Sequence, residues 1–275
     1  GIGGGTLTGA TGLTTTQMMS QANFAGFDFT PGTGSWFMIE GDTRPFLQME
    51  HSTTITNAHQ LQLMAMDLNA NYTLANDIDM SELSNASGMW NTTAGFSPVG
   101  NITTKFTGNF DGLGHTINNL TINRPTTDNV GLFGTAWVFT TISNIGIEGG
   151  SVTGNQSVGE LVGWNAGTIS NSYATGSVSG SGNEVGGLAG WNGGTISYSY
   201  ATSSATGANH VGGLVGHNGG GMISNSYATG SVTGTSYVGG LVGWSYAFSS
   251  MISNSYAIGS VSVIGSGNFV GGLVG

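Results

Sequence analysis

Two rows of ring-bearing side chains recur at a near-constant interval along the sequence. One comprises Trp164, Trp191 and Trp244, with His217 in the same slot; the other comprises Tyr173, Tyr200, Tyr227 and Tyr256. Rings at regular spacing offer stacking platforms for sugars, and the row Thr175, Thr202, Thr229 places hydroxyls beside the tyrosines. These ten residues are the candidate ligand-facing set. The competing reading is structural: aromatic pairs stacked between repeats contribute about 0.5–1.5 kcal/mol each and would stiffen the chain without any ligand.

Other reactive groups are sparse. Asp77 and Asp79 alternate on a strand-like stretch and could begin a calcium site; the plainer reading has nearby backbone donors satisfying both. Asp111, in the string FDG, reads as a turn residue. Glu160 stands where the other copies of its string carry glycine, and is expected to point to solvent. A zinc peptidase needs HExxH, but none of His51, His59, His115, His210 and His217 is followed by Glu. The glycine-rich strings lack the Lys and helix of a phosphate loop. No catalytic residue, cofactor site or metal site is therefore assigned, and the chain is read as a non-enzyme.

Charge narrows the partners. Arg44, Lys105 and Arg124 are the three basic residues against thirteen acidic ones, a formal charge of −10. Nucleic acid and anionic membrane surfaces both demand cationic contacts that this chain lacks. No apolar run approaches the roughly 18 residues of a membrane helix, and no cysteine is present. Glycine supplies 51 of 275 residues, yet 38% hydrophobic content with only four prolines argues for a folded chain rather than a disordered one.

The elements that position the aromatic rows come from an internal repeat. VGELVG at Val158–Gly163 returns as VGGLAG at Val185 and as VGGLVG at Val211, Val238 and Val270. Between these lie TISNSYATGSV from Thr168 and its copies from Thr195, Met222 and Met251. Weaker copies, TISNI and TINNL, carry the isoleucine series back through Ile142 to Ile117. About 27 residues with one leucine and many glycines fit neither a leucine-rich repeat nor a propeller blade, and suit one coil of three short strands. Ile169, Ile196, Ile223 and Ile252 should form one inward ladder, and Leu161, Leu188, Leu214 and Leu241 another. Alternation then turns Ala174 and Val178 inward and Tyr173, Thr175 and Ser177 outward. Asn171, Asn225 and Asn254 should occupy a bend and form an amide ladder.

Upstream, Leu61, Met64 and Leu68 follow a helical spacing after a cap at Thr56 or Asn57, and a second short helical pattern covers residues 14–23. The predicted organisation is a preceding module's tail over residues 1–50, an N-terminal cap and first strands over 51–105, and coils over 106–275 from FTGNFDGLGHTINNL onward. Both ends look cut from a longer chain. An uncapped last coil would leave strand edges open, so end-to-end self-association through it is expected.

The VGGLVG units resemble the GLUG repeats of large bacterial exoproteins, including filamentous-haemagglutinin-like adhesins exported by two-partner secretion. The stretch FAGFDF…W…EG…RPFL is similar to the segment that closes such repeat blocks, and ITNAHQLQLMAMDL…YTL to the opening of the next. The resemblance implies a right-handed parallel β-helix, extracellular at a cell surface, with a structural and adhesive role toward glycans or host proteins. The alternatives are a carbohydrate-active β-helix enzyme, an ice-binding solenoid built on the threonine row, and an accessory region of a secreted peptidase.

Overall fold

The computed structural model describes residues 12–246, 249–265 and 267–275; residues 1–11 of the leading segment lie outside them. Its architecture follows from the TIS strings. Thr168, Ile169 and Ser170 alternate outward, inward, outward, as a half-buried strand must. Each isoleucine then meets its equivalent one coil on: Ile142 pairs in parallel with Ile169, Ile169 with Ile196, Ile196 with Ile223 and Ile223 with Ile252. The first four are fully buried. Burial of such a side chain contributes about 1.5–3 kcal/mol, so the ladder grows in stability with every coil.

The chain is an all-β parallel solenoid. Each complete coil crosses five parallel sheets, not the three strands expected. From Thr168 these strands are Thr168–Ser170, Tyr173–Ala174, Ser177–Gly180, Asn183–Gly186 and Ala189–Asn192. The sheets contain eight, seven, six, four and five strands in that order. The strands are short because corners come quickly. Asn171, Tyr198, Asn225 and Asn254 take left-handed backbone between the first and second sheets, with φ of 47–50°. The expected bend is there, but the amide ladder lies elsewhere. Asn165 Nδ2 donates to Asn192 Oδ1, and Asn192 Nδ2 to Asn218 Oδ1, both at 2.8 Å within the buried interior.

The parity is as expected: Ala174 and Val178 are buried, Tyr173 and Thr175 half-buried, and Ser177 exposed. Leu161, Leu188, Leu214 and Leu241 are fully buried. Ile117 is a correction. It pairs with Ile78 and Ile147 in the second sheet, while Phe110 holds the slot before Ile142. A full coil, not likeness of the TIN and TIS strings, decides the partner, and the larger Phe110 ring fills the same inward place.

Stacking also begins earlier than Phe106. Tyr72–Leu74 pairs with Phe110–Asp111, and Thr54–Ile55 pairs with Tyr72–Leu74. The helix Ala58–Leu63 starts at Asn57, whose side chain accepts from Gln60 N at 3.0 Å. Its Leu61 and Leu63 enter the same core as Phe46, Met64 and Trp90. Gln62 is buried with its amide satisfied, donating to Ser97 O and accepting from Trp90 Nε1 and Ser97 N. The helical pattern over 14–23 resolves into two 3-10 turns, Gln17–Met19 and Gln21–Asn23.

Candidate aromatic face

The fifth sheet carries the tryptophan row. Trp164 pairs in register with Trp191, Trp191 with His217 and His217 with Trp244. The rings make a continuous chain. Trp137 and Trp164 lie 6.0 Å apart, Trp164 and Trp191 5.1 Å, Trp191 and His217 6.3 Å, and His217 and Trp244 4.6 Å, between centroids. Lys105 Nζ sits 4.5 Å over the Trp137 ring at one end, and Tyr246 stacks on Trp244 at the other.

A second column, which sequence reasoning missed, borders this row along the line of the fourth sheet, with Glu184, His210 and Tyr237 in its strands. Asn129, Ser157, Glu184, His210, Tyr237 and Phe269 each precede the recurrent valine, and each has a positive φ of 53–67°. Glycine would be the natural occupant of such backbone. Here it is needed one strand later instead, for close approach: a Cβ on Gly190 would lie 2.3 Å from the backbone of Ser157. Bulky residues held in left-handed backbone cluster at functional sites more than elsewhere. The signal in the sequence is that this is the one slot in each VGGLVG unit filled by Ser, Glu, His, Tyr and Phe in turn.

The two columns interlock. His210 lies 4.6 Å from Trp244 and 5.1 Å from Tyr237, and Tyr237 stacks on Phe269 at 4.7 Å. Ser157 Oγ donates to Glu184 Oε2 at 2.5 Å, and His217 Nδ1 lies 3.3 Å from Glu184 Oε1. Burial pushes the Glu184 carboxyl up, but hydrogen bonds from His217 and Ser157 and the neighbouring imidazoles outweigh it, so its pKa is lowered. The His210 imidazole is held below its usual value, by burial first and then by His217. Asn129, Ser157, Trp164, Glu184 and Trp191 line a cleft of about 270 Å³.

The other candidates lie on a different face. Tyr173, Tyr200, Tyr227 and Tyr256 stack along the second sheet at 4.8, 4.8 and 5.1 Å, within 4° of parallel. That separation is the strand spacing itself, so register imposes the stack. Tyr173 OH donates to Glu148 at 2.6 Å, and burial, then this bond, holds its phenol above the usual value. Thr175 and Thr229 are half-buried and Thr202 is exposed; Thr175 Oγ1 accepts from Gly149 N. Ile258 follows Thr229 in that row and is exposed. The ten candidate residues therefore divide between two faces and do not form one site.

Remaining carboxylates have local partners. Asp77 accepts from Thr116 N, and Asp79 from Ser81 N and Asn119 Nδ2. Asp111 Oδ1 accepts from Leu113 N and Asn144 Nδ2, as a turn residue does. Among the described residues no three His, Cys, Asp or Glu gather as metal ligands. Glu160 reverses its expectation. It is fully buried, not solvent-facing, and its carboxylate accepts from Gly176 N on both oxygens at 3.1 Å and from Ser203 Oγ at 2.6 Å. The slot points into the coil, where Gly187 faces Ala201 in the following unit.

Comparison with known proteins places repeats of a described kind within this fold. Residues 207–233 and 234–262 each match the model of the GLUG motif. A stretch of 97 residues, 35% of the chain, is 44% identical to halomucin of Haloquadratum walsbyi, and it spans 1% of that protein's length. A solved structure from Bacteroides ovatus, provisionally named an immunoglobulin A1 protease, superposes with a TM-score of 0.61. It is 24% identical, and the match covers 79% of this chain and 74% of that one. The likeness to it is one of fold.

Proposed function

We propose that this GLUG-repeat solenoid is a non-catalytic structural and adhesive segment of a secreted or cell-surface protein, which presents its aromatic face to glycans or proteins. The observation that carries the reading is the continuous row from Trp137 to Tyr246 on the outside of a stack whose inside is filled by apolar ladders. Rigid elements hold rings at fixed intervals, the arrangement a repeating ligand needs. Glycoside cleavage would call for two carboxylates facing one groove, about 5–9.5 Å apart. Glu184 instead neighbours Ser157 and His217, and Glu160 is inside the coil. The low charge and the similarity to halomucin accord with an extracellular setting.

The test is a glycan and surface-protein array probed with the 275-residue chain and with the triple variant Trp164→Ala, Trp191→Ala, Trp244→Ala. The expected result is saturable binding by the parent and its loss in the triple variant at unchanged circular dichroism. Binding retained in full by the triple variant would remove the aromatic face from the account, and no binding by either protein would remove adhesion.

A further inference from the structure

We infer that the cleft lined by Trp164 and Trp191 is a binding site for a small alkylammonium cation, of which the trimethylammonium group of choline is the simplest form. Three observations converge. The two indoles pack edge to face, at 74° with centroids 5.1 Å apart, and both border the cleft. Cations are drawn to such π faces, most strongly to Trp. Glu184, on the same cleft, adds a carboxylate whose oxygens each engage one neighbour, Ser157 or His217, and retain capacity for a further positive partner. At about 270 Å³ the cleft is near the lower end of ligand pockets, roughly 300–1,000 Å³, and suits a single small group.

A fourth observation is independent of the cleft. One step along the same row, Lys105 already places its ammonium 4.5 Å over Trp137, whose ring is 6.0 Å from Trp164. The chain thus fills the first position of the row with a cation of its own. Its other basic residues are committed elsewhere: Arg124 pairs with Asp42, and Arg44 donates to Ser87 O and Ala86 O. Besides the carboxylate, the lining offers the Asn129 amide and two indole N–H donors, while the Ser157 hydroxyl is engaged with Glu184; a neutral sugar is therefore the ligand the test must separate from a cation. This assignment does not depend on the adhesive reading, since a structural repeat could hold such a cation without binding another surface.

Titration calorimetry of the full chain with choline chloride tests it, at pH 8. Its neutral isostere 3,3-dimethyl-1-butanol and methyl glucoside serve as controls. Choline should bind saturably and the isostere about tenfold more weakly, the size of a cation–π contribution of this kind. Trp191→Leu should abolish the heat and Glu184→Gln should reduce affinity severalfold, both with unchanged melting. Sedimentation with phosphatidylcholine vesicles separates sources: co-sedimentation identifies a lipid-borne head group, and choline binding without it identifies a free solute. Equal binding of choline and the isostere, preference for the glucoside, or parental affinity in both variants would overturn the assignment.

Discussion

Glu160 and Ser203 both depart from the repeat, and they meet. Glu160 replaces the glycine found at Gly187, Gly213 and Gly240, Ser203 replaces that at Gly176 and Gly230, and the two side chains hydrogen-bond at 2.6 Å. Burial drives the carboxyl pKa up to about 7 from 4.5, against the Ser203 and Gly176 hydrogen bonds. Because the folded value exceeds the unfolded one, the protonated site's stabilising contribution is complete below pH 4.5 and is lost as pH rises through about 7. The difference corresponds to about 3 kcal/mol. Melting measured at pH 4.5 and at pH 8.5 should therefore fall by several degrees for the parent, and Glu160→Gln should flatten that dependence. A parallel profile in the variant would place the titrating group elsewhere. The interior imposes a sharper contrast. Ile196 is fully buried while Thr202 is exposed, so Ile196→Asp should cost several kcal/mol and Thr202→Asp within about 0.5 kcal/mol, read as separate shifts in denaturant midpoint.

The corner between the first and second sheets tests what a single backbone conformation contributes to an element. Asn171, Asn225 and Asn254 accept left-handed backbone readily, whereas Tyr198 holds φ of 50° with its ring 63% exposed. Tyr198→Asn should stabilise the chain by up to about 1 kcal/mol and Asn225→Ala should destabilise it by about the same; chemical denaturation of both reports the sign. Much at this scale was legible in the sequence. The period, the Ile and Leu ladders and the outward Tyr row follow from alternation and repetition alone, and the helix start at Asn57 from capping chemistry. The five-strand coil was not, because strands as short as Tyr173–Ala174 are too brief for alternation to count them. Nor was the Ser157, Glu184, His210, Tyr237, Phe269 column, since residue types this different hide a shared φ. Glu160 misled for a related reason: an isolated acid reads as exposed until its partner, 43 residues away, is placed beside it.

Across the whole molecule each coil touches mainly its two neighbours, so stability should accumulate nearly additively along the stack. Residues 207–233 form one register unit, with Gly207 and Gly234 equivalent between successive coils. Deleting them joins Thr206 to Gly234 and should leave a cooperative solenoid with an unchanged far-ultraviolet spectrum and a smaller denaturant m-value. Deleting 207–220 instead, about half a coil, would set every later ladder out of register and should yield a protein without cooperative melting. Similar melting of the two deletions would show that the ladders tolerate slippage.

The in-register pairing has a mechanical consequence. Hydrogen bonds between coils run along the stacking direction, and the chain enters at one end of the stack and leaves at the other. Tension applied between the two ends would therefore load one coil-to-coil junction at a time, at whichever end yields first, and peel the stack in order. Each 27-residue coil released, such as that from Ile169 to Ile196, can lengthen the tether by roughly 90 Å, at 3.3–3.6 Å per extended residue. A surface protein strung from such units would give way in steps of similar size and absorb work at each one, a tether that lengthens before it breaks.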